Sequence, residues 1–180
     1  MQNLSCYSLV FPILLLFCRT AYSQQNPDDT EFRKGWATYL KLDNGFISNF
    51  HSSPDLYSGG VQINPQVTII EHKLRVGAMA GLVYANKKVA GLFGPAVAFK
   101  VKSFNLKNLA GLANLQLIAE HNWGTEKQRL AGGGIGLELL QKAMLIFTVH
   151  RDYNLNAWWL QTHVGIRLKR EKNKEPEFNQ

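Results

Sequence analysis

Trp158-Trp159-Leu160-Gln161-Thr162-His163-Val164-Gly165-Ile166-Arg167-Leu168-Lys169 is the stretch that decides the fold. Trp158, Leu160, Thr162, Val164, Ile166 and Leu168 alternate with Trp159, Gln161, His163, Gly165, Arg167 and Lys169. Period two means a strand, because successive side chains leave the backbone on opposite faces.

Seven further runs upstream carry the same signal. The first covers Trp36 to Asn44, with Thr38, Leu40 and Leu42 opposite Tyr39, Lys41 and Asp43. The second sets Tyr57, Val61, Ile63, Pro65, Val67 and Ile69 against Gly60, Gln62, Asn64, Gln66 and Thr68. In the third, Leu74, Val76, Ala78, Ala80 and Leu82 oppose Arg75, Gly77, Met79 and Gly81. The fourth opposes Phe93, Pro95, Val97, Phe99 and Val101 to Gly94, Ala96, Ala98, Lys100 and Lys102. Leu115, Leu117 and Ala119 face away from Asn114, Gln116 and Glu120 in the fifth, where Ile118 breaks the pattern. The sixth places Ile135, Leu137 and Leu139 opposite Gly132, Gly134, Gly136 and Glu138. The seventh places Leu145, Phe147 and Val149 opposite Thr148, His150 and Asp152, with Ile146 on the polar face.

Eight such strands are too many for one flat sheet, and closure removes its edges. The expected fold is all-β, an eight-stranded antiparallel up-and-down transmembrane β-barrel in which the first and last strands pair. A β-sandwich would also alternate, but no long crossing connection is present. Pro65 and Pro95 remove ladder donors and are expected at bulges or near strand ends.

The polar face separates a membrane barrel from a soluble one that carries a small apolar ligand. It is rich in Gly, Ala, Asn, Gln and Thr, which suit a cramped lumen better than a surface in water. The apolar stripes are therefore expected to face lipid. The charged lumen candidates are Lys41, Asp43, Arg75, Lys100, Glu120, Glu138, Asp152 and Arg167, with His150 and His163. Mixed signs predict a paired network that plugs the barrel, because unpaired buried charge costs several kcal/mol. Tyr57, Tyr84, Phe93, Phe104, Tyr153 and Trp158 lie toward strand ends, where interfacial girdles belong. Short turns are expected at 70–73, 103–108 and 140–142, and outer loops at 45–56, 85–91, 121–128 and 154–156.

Composition fits this reading. The 180 residues are 46% apolar and 18% charged, with a net charge of +7, too apolar for a disordered chain. Leu9 to Phe17 is an apolar run too short to span a membrane as a helix. It is followed by Ala21-Tyr22-Ser23, a small-x-small cleavage pattern, so residues 1–23 are expected to be a signal peptide. No Lys or Arg precedes the run, and bulky Phe17 before Cys18 argues against lipidation. Both cysteines, Cys6 and Cys18, lie in that segment. The expected organisation continues with a short polar segment over 24–35, the barrel over 36–169 and a charged tail over 170–180.

From strand count, alternation, export signal and the absence of cysteine after residue 18, the chain over Trp36 to Lys169 resembles the small eight-stranded outer-membrane β-barrel proteins of Gram-negative bacteria. The resemblance implies an outer-membrane location, with both chain ends on the inner side. Gly165 and Leu168 match loosely the glycine and terminal aromatic of that family's last strand, and the chain then departs into Lys169-Arg170 and the charged tail.

No catalytic motif stands out. The lipid A deacylases among such barrels use a His-x-Ser pair on a late strand, and His150-Arg151-Asp152 and His163-Val164-Gly165 lack the serine. His51-Ser52-Ser53 has the spacing but falls in the first loop. No nucleophile–base constellation is recognisable. The five histidines, His51, His72, His121, His150 and His163, show no metal-ligand spacing; His150 and His163 are expected to hydrogen-bond to Glu138 or Asp152. Gly132-Gly133-Gly134-Ile135-Gly136 has no following helix and no Lys-Ser/Thr pair to make a phosphate loop. The chain is therefore read as a non-enzymatic outer-membrane barrel without cofactor or metal. Its expected partners are membrane lipid and lipopolysaccharide, which Lys87, Lys88, Lys127 and Arg129 would meet, and not nucleic acid. The residues name no protein partner. A lipid-modifying enzyme and a soluble ligand carrier are the alternatives.

Overall fold

The computed structural model describes residues 32, 34–50, 55–106, 111–140 and 142–168. The expected signal peptide and charged tail lie outside them. Eight strands follow in order: β1 (Trp36–Ser48), β2 (Leu56–Ile70), β3 (Leu74–Ala85), β4 (Lys88–Leu106), β5 (Gly111–Gly124), β6 (Arg129–Leu139), β7 (Ala143–Asp152) and β8 (Ala157–Arg167). Each pairs antiparallel with the next, and β1 pairs with β8 from Tyr39↔Arg167 to Ser48↔Trp158, which closes the barrel. There is no helix among the described residues.

The polarity of the faces follows the alternation. Leu42, Ile63, Leu82, Leu117, Ile135 and Phe147 point outward and keep 44–62% of their surface exposed. Val61 and Val164 are likewise exposed, and Val97 and Leu137 share that outer face. The inward set is buried and mostly polar, including Lys41, Gln62, Asn64, Arg75, Gln116, Glu120, Glu138, Thr148, His150 and His163. Ile118 and Ile146 do not interrupt the strands. They are buried luminal residues that pack with Ala37, Tyr39, Ala98 and Met144.

Both prolines sit mid-strand without a register shift, contrary to the expectation of bulges or strand ends. Pro65 opposes Thr38 on β1, and the β2–β3 register resumes unchanged on either side, Ile63↔Ala80 and Gln66↔Gly77. Proline cannot donate to the Ala78 carbonyl on β3. Asn64 donates to it instead, Nδ2 to O 3.1 Å, so a luminal side chain replaces the lost ladder bond. Pro95 pairs with the same Ala78 from the β4 side. The irregularities fall elsewhere, between Thr68 and Ile70 in the β2–β3 pair and between Lys100 and Lys102 in the β4–β5 pair. The second irregularity breaks the alternation, so Lys102 is exposed, with its Nζ 5.2 Å from the Phe104 ring centre, rather than luminal.

The loops also differ from expectation. The connection expected over 85–91 is a two-residue turn, Asn86-Lys87, with φ of 50° and 61°. Two consecutive left-handed residues match the twist of a tight hairpin. The strands run further than their hydrophobic pattern. Residues 125–128 and 153–156 are then hardly longer than 71–73 and 140–142 at the other end. The interval between strands is longest at 49–55, and the others are of similar length at both ends, so loop length does not orient the barrel.

Candidate functional site: the luminal network

The inward side chains form layers along the barrel axis. At the terminal end, where β1 begins and β8 finishes, Arg75 Nη1 donates to Tyr39 Oη (2.6 Å) and lies 3.3 Å from Glu138 Oε2. Tyr39 Oη donates to Glu138 Oε1 at 2.8 Å. Three strands, β1, β3 and β6, are thus tied across the lumen. Beneath them Phe32, fully buried, lies under the guanidinium, 3.7 Å from ring centre to Arg75 Cζ. Its carbonyl accepts from the His72 amide (2.9 Å), and the Gly35 carbonyl accepts from Thr68 (3.0 Å), which anchors the chain before β1. A cation stacked on an aromatic face away from water is held by the ring's negative quadrupole. Phe32, from the segment expected to be simply polar, thus backs this layer from inside the barrel.

One layer further, Lys41 Nζ lies 3.4 Å from Glu120 Oε1 and His150 Nε2 lies 3.3 Å from Glu120 Oε2. Beside this cluster Asp43, His163 and Thr148 form a chain. His163 Nδ1 is 2.6 Å from Asp43 Oδ1, and His163 Nε2 is 2.7 Å from Thr148 Oγ1. The carboxylate accepts only, so Nδ1 carries the proton and Nε2 is free to accept from the threonine hydroxyl. The sequence offers no sign of this arrangement, because its members come from β1, β7 and β8: barrel closure sets Asp43 directly opposite His163 in the β1–β8 pair, and the β7–β8 register, Ile146↔His163 and Thr148↔Gln161, places Thr148 diagonally beside it. The distances are those of a nucleophile, base and orienting acid. All three groups are buried, however, with Thr148 fully so. The chain therefore locks an imidazole in the wall-to-wall network.

The remaining candidates lie at the ends. Asp152 is buried at the rim and accepts from the amides of Arg129, Asn154 and Leu155 through Oδ1, fixing the β7–β8 turn. Lys100 is half-buried at the terminal end, 5.9 Å from the Phe32 ring centre, and Arg167 is half-buried at the close of β8. The expected histidine partners are thus corrected. His150 meets Glu120 and His163 meets Asp43, while Glu138 serves Tyr39 and Arg75 and Asp152 serves the backbone. Alternation gives the face of each residue but not its height along the axis, and height selects the partners. Among the described residues no group of His, Cys, Asp and Glu is arranged to hold a metal ion.

Toward the other end, the mouth, the lumen turns apolar. Met79, Val83, Ala90, Leu92, Leu130 and Trp159 pack together, with Ile47 and Ala85 against them. Above them opens a cup of about 390 Å³, with Trp159 and Val83 in its lining and Asn49, Lys88, Glu126 and Gln128 among its polar groups.

No protein-family model matches the sequence, and no curated protein matches it. Among solved structures, the chain is similar to one described under "De novo design of transmembrane beta-barrels", at 13% identity and a TM-score of 0.48, over 81% of this chain and 100% of that one. The closed barrel described above stands on this chain's own strand pairing.

Proposed function

We propose that this protein is an outer-membrane β-barrel of structural or interaction type, embedded in lipid after export and signal-peptide removal, with a side-chain-filled lumen. The observation that carries the reading is the inverted polarity. Large apolar side chains cover the outside, while Lys41, Arg75, Glu120 and Glu138 are buried inside. A soluble barrel needs the reverse arrangement, and an apolar outer patch of this extent in water would drive aggregation. A lipid medium satisfies both faces at once.

The aromatic side chains support the same reading. Tyr57, Tyr84, Phe93, Tyr153 and Trp158 are exposed near the mouth, joined by Phe46 and Trp123, with Phe104 and Trp36 toward the terminal end. Rings of this kind suit the two lipid–water boundaries. The lumen is crossed by the Tyr39–Arg75–Glu138 layer and capped around Trp159, so the protein conducts little or no steady ion current. The protein works without cofactor and catalyses no reaction; its contacts are with membrane lipid and lipopolysaccharide.

Fractionation tests the reading. The protein should need detergent for extraction from the envelope, and it should migrate anomalously on a gel until boiled. Release by buffer or high salt alone would overturn it.

A further inference from the structure

One outward patch near the mouth differs from the apolar surface around it. On β6, Ala131 is flanked directly by His121 of β5 and by Arg151 of β7, its register partners on either side. Arg129 is two residues earlier on β6, on the same outer face, and exposed. Side chains directly opposite each other stand about 5 Å apart at Cβ and diagonal ones about 7–8 Å. Three nitrogen-bearing side chains therefore surround one methyl group.

Tryptophans bracket the patch. Trp123 is the register partner of Arg129, and its ring stands edge-on to His121 with centres 4.7 Å apart. Trp158 is the register partner of Arg151, whose guanidinium carbon lies 5.2 Å from its ring centre. Arg151 also donates to the Asn156 side chain, which fixes the guanidinium beside the patch.

The charge here is uncompensated among the described residues. Neither Arg129 nor Arg151 makes an ion pair; the nearby turn acid, Glu126, pairs with Lys88 at 3.4 Å, and Asp152 is buried on the luminal side. Directly below, the outer face passes through Ala119, Gly133 and Val149 to Leu117, Ile135 and Phe147. A ligand seated on this patch thus meets cations at its head and an apolar wall along its length.

We infer that Arg129, Arg151 and His121 form a seat for the phosphate of an anionic lipid, with the headgroup over Ala131 and the acyl chains against the β5–β7 wall. This rests on the membrane reading above and names one lipid class for one place on the surface. Guanidinium forks match phosphate oxygens in pairs, and the flanking indoles hold the level of the interface. Two forks and an imidazole suit a phosphomonoester headgroup, which carries more charge than a diester.

The test uses the full chain refolded into phosphatidylcholine vesicles that contain brominated phosphatidic acid or brominated phosphatidylcholine. Bromine quenches indole emission, and Trp123 and Trp158 report on the seat. Each cation near a membrane surface contributes about 1 kcal/mol, roughly a fivefold change in association. Wild type should prefer the brominated phosphatidic acid by about fivefold or more on that scale. R129Q/R151Q should lose the preference. A131L, which keeps every charge but fills the floor, should lose most of it, whereas K142Q at the other end should keep it. All variants are first checked for the heat-modifiable band. Equal quenching by the two lipids in wild type, or a preference retained in R129Q/R151Q or A131L, would overturn the seat alone. No quenching by either lipid would overturn the membrane reading, and the seat with it.

Discussion

At the terminal end of the barrel the lumen is closed by charge. Arg75, Glu138 and Tyr39 bridge three strands, and Phe32, from outside the strands, stacks on the guanidinium. At the mouth it is closed by apolar contact among side chains of the strands themselves, with Leu92, Leu130 and Trp159 beneath an open cup. The two closures fail differently. Buried ions are held by specific partners, so removing one leaves an uncompensated charge. An apolar cluster loses only contact area and the volume of the cavity created.

The largest effect is therefore expected at the terminal end. E138A leaves Arg75 without its carboxylate and should destabilise the folded barrel by about 3–5 kcal/mol in urea titrations from vesicles. R75M/E138M, which removes both charges and keeps the bulk, should recover most of that loss. If the double variant is as unstable as E138A, the charge argument for this end is wrong.

F32A comes next. A fully buried phenylalanine truncated to alanine costs about 3 kcal/mol. The layer above it remains intact, so planar-bilayer recordings should show no stable channel. A steady conductance in F32A would mean that Phe32, and not the Tyr39–Arg75–Glu138 layer, seals the lumen. At the mouth, L130A should cost about 2 kcal/mol, the low end for a buried leucine, because the cup lets neighbours relax into the space.

These two ends also differ in how far they can be read from sequence. Strand number, closure and the inward or outward face of nearly every residue follow from period two, because the pleat enforces it wherever the ladder is regular. The alternation puts Lys102 on the luminal face, but a bulge adds one residue without any local signature, and the rest of β4 changes face. The charge-closed end was legible only as a set of ionisable luminal residues. Their partners depend on the stagger between strands, which pairs Asp43 with His163 at 120 residues' separation. Phe32 was not legible as a luminal contact of Arg75, since a single aromatic in a polar segment carries no periodicity. Of the cap, Trp159 stood in the alternation as an apolar residue on an otherwise polar face, while Leu92 and Leu130 fall just before the runs read from the pattern, because the strands extend beyond them. The proposed phosphate seat was visible only in part, through Arg129; Arg151, Trp123 and His121 join it through cross-strand register.

The smallest expected effect sharpens the contrast at the mouth, where the strands rather than the terminal segment do the closing. The β3–β4 hairpin turns through Asn86-Lys87, both left-handed, and feeds Val83, Ala85 and Ala90 into the apolar cap. Asparagine tolerates that conformation, but lysine has a Cβ that crowds the following backbone. Glycine relieves this at no steric cost, and Asn-Gly is the preferred pair for such a turn. Relief of about 1–2 kcal/mol of left-handed strain, less about 0.5–1 kcal/mol for glycine's extra entropy in the unfolded chain, means that K87G should stabilise the barrel by about 0.5–1 kcal/mol in the same urea titrations. Lys87 is exposed and makes no ion pair among the described residues, so the gain should persist in high salt. A loss of stability in K87G would mean that the Lys87 side chain, not the backbone of the turn, holds this hairpin over the mouth.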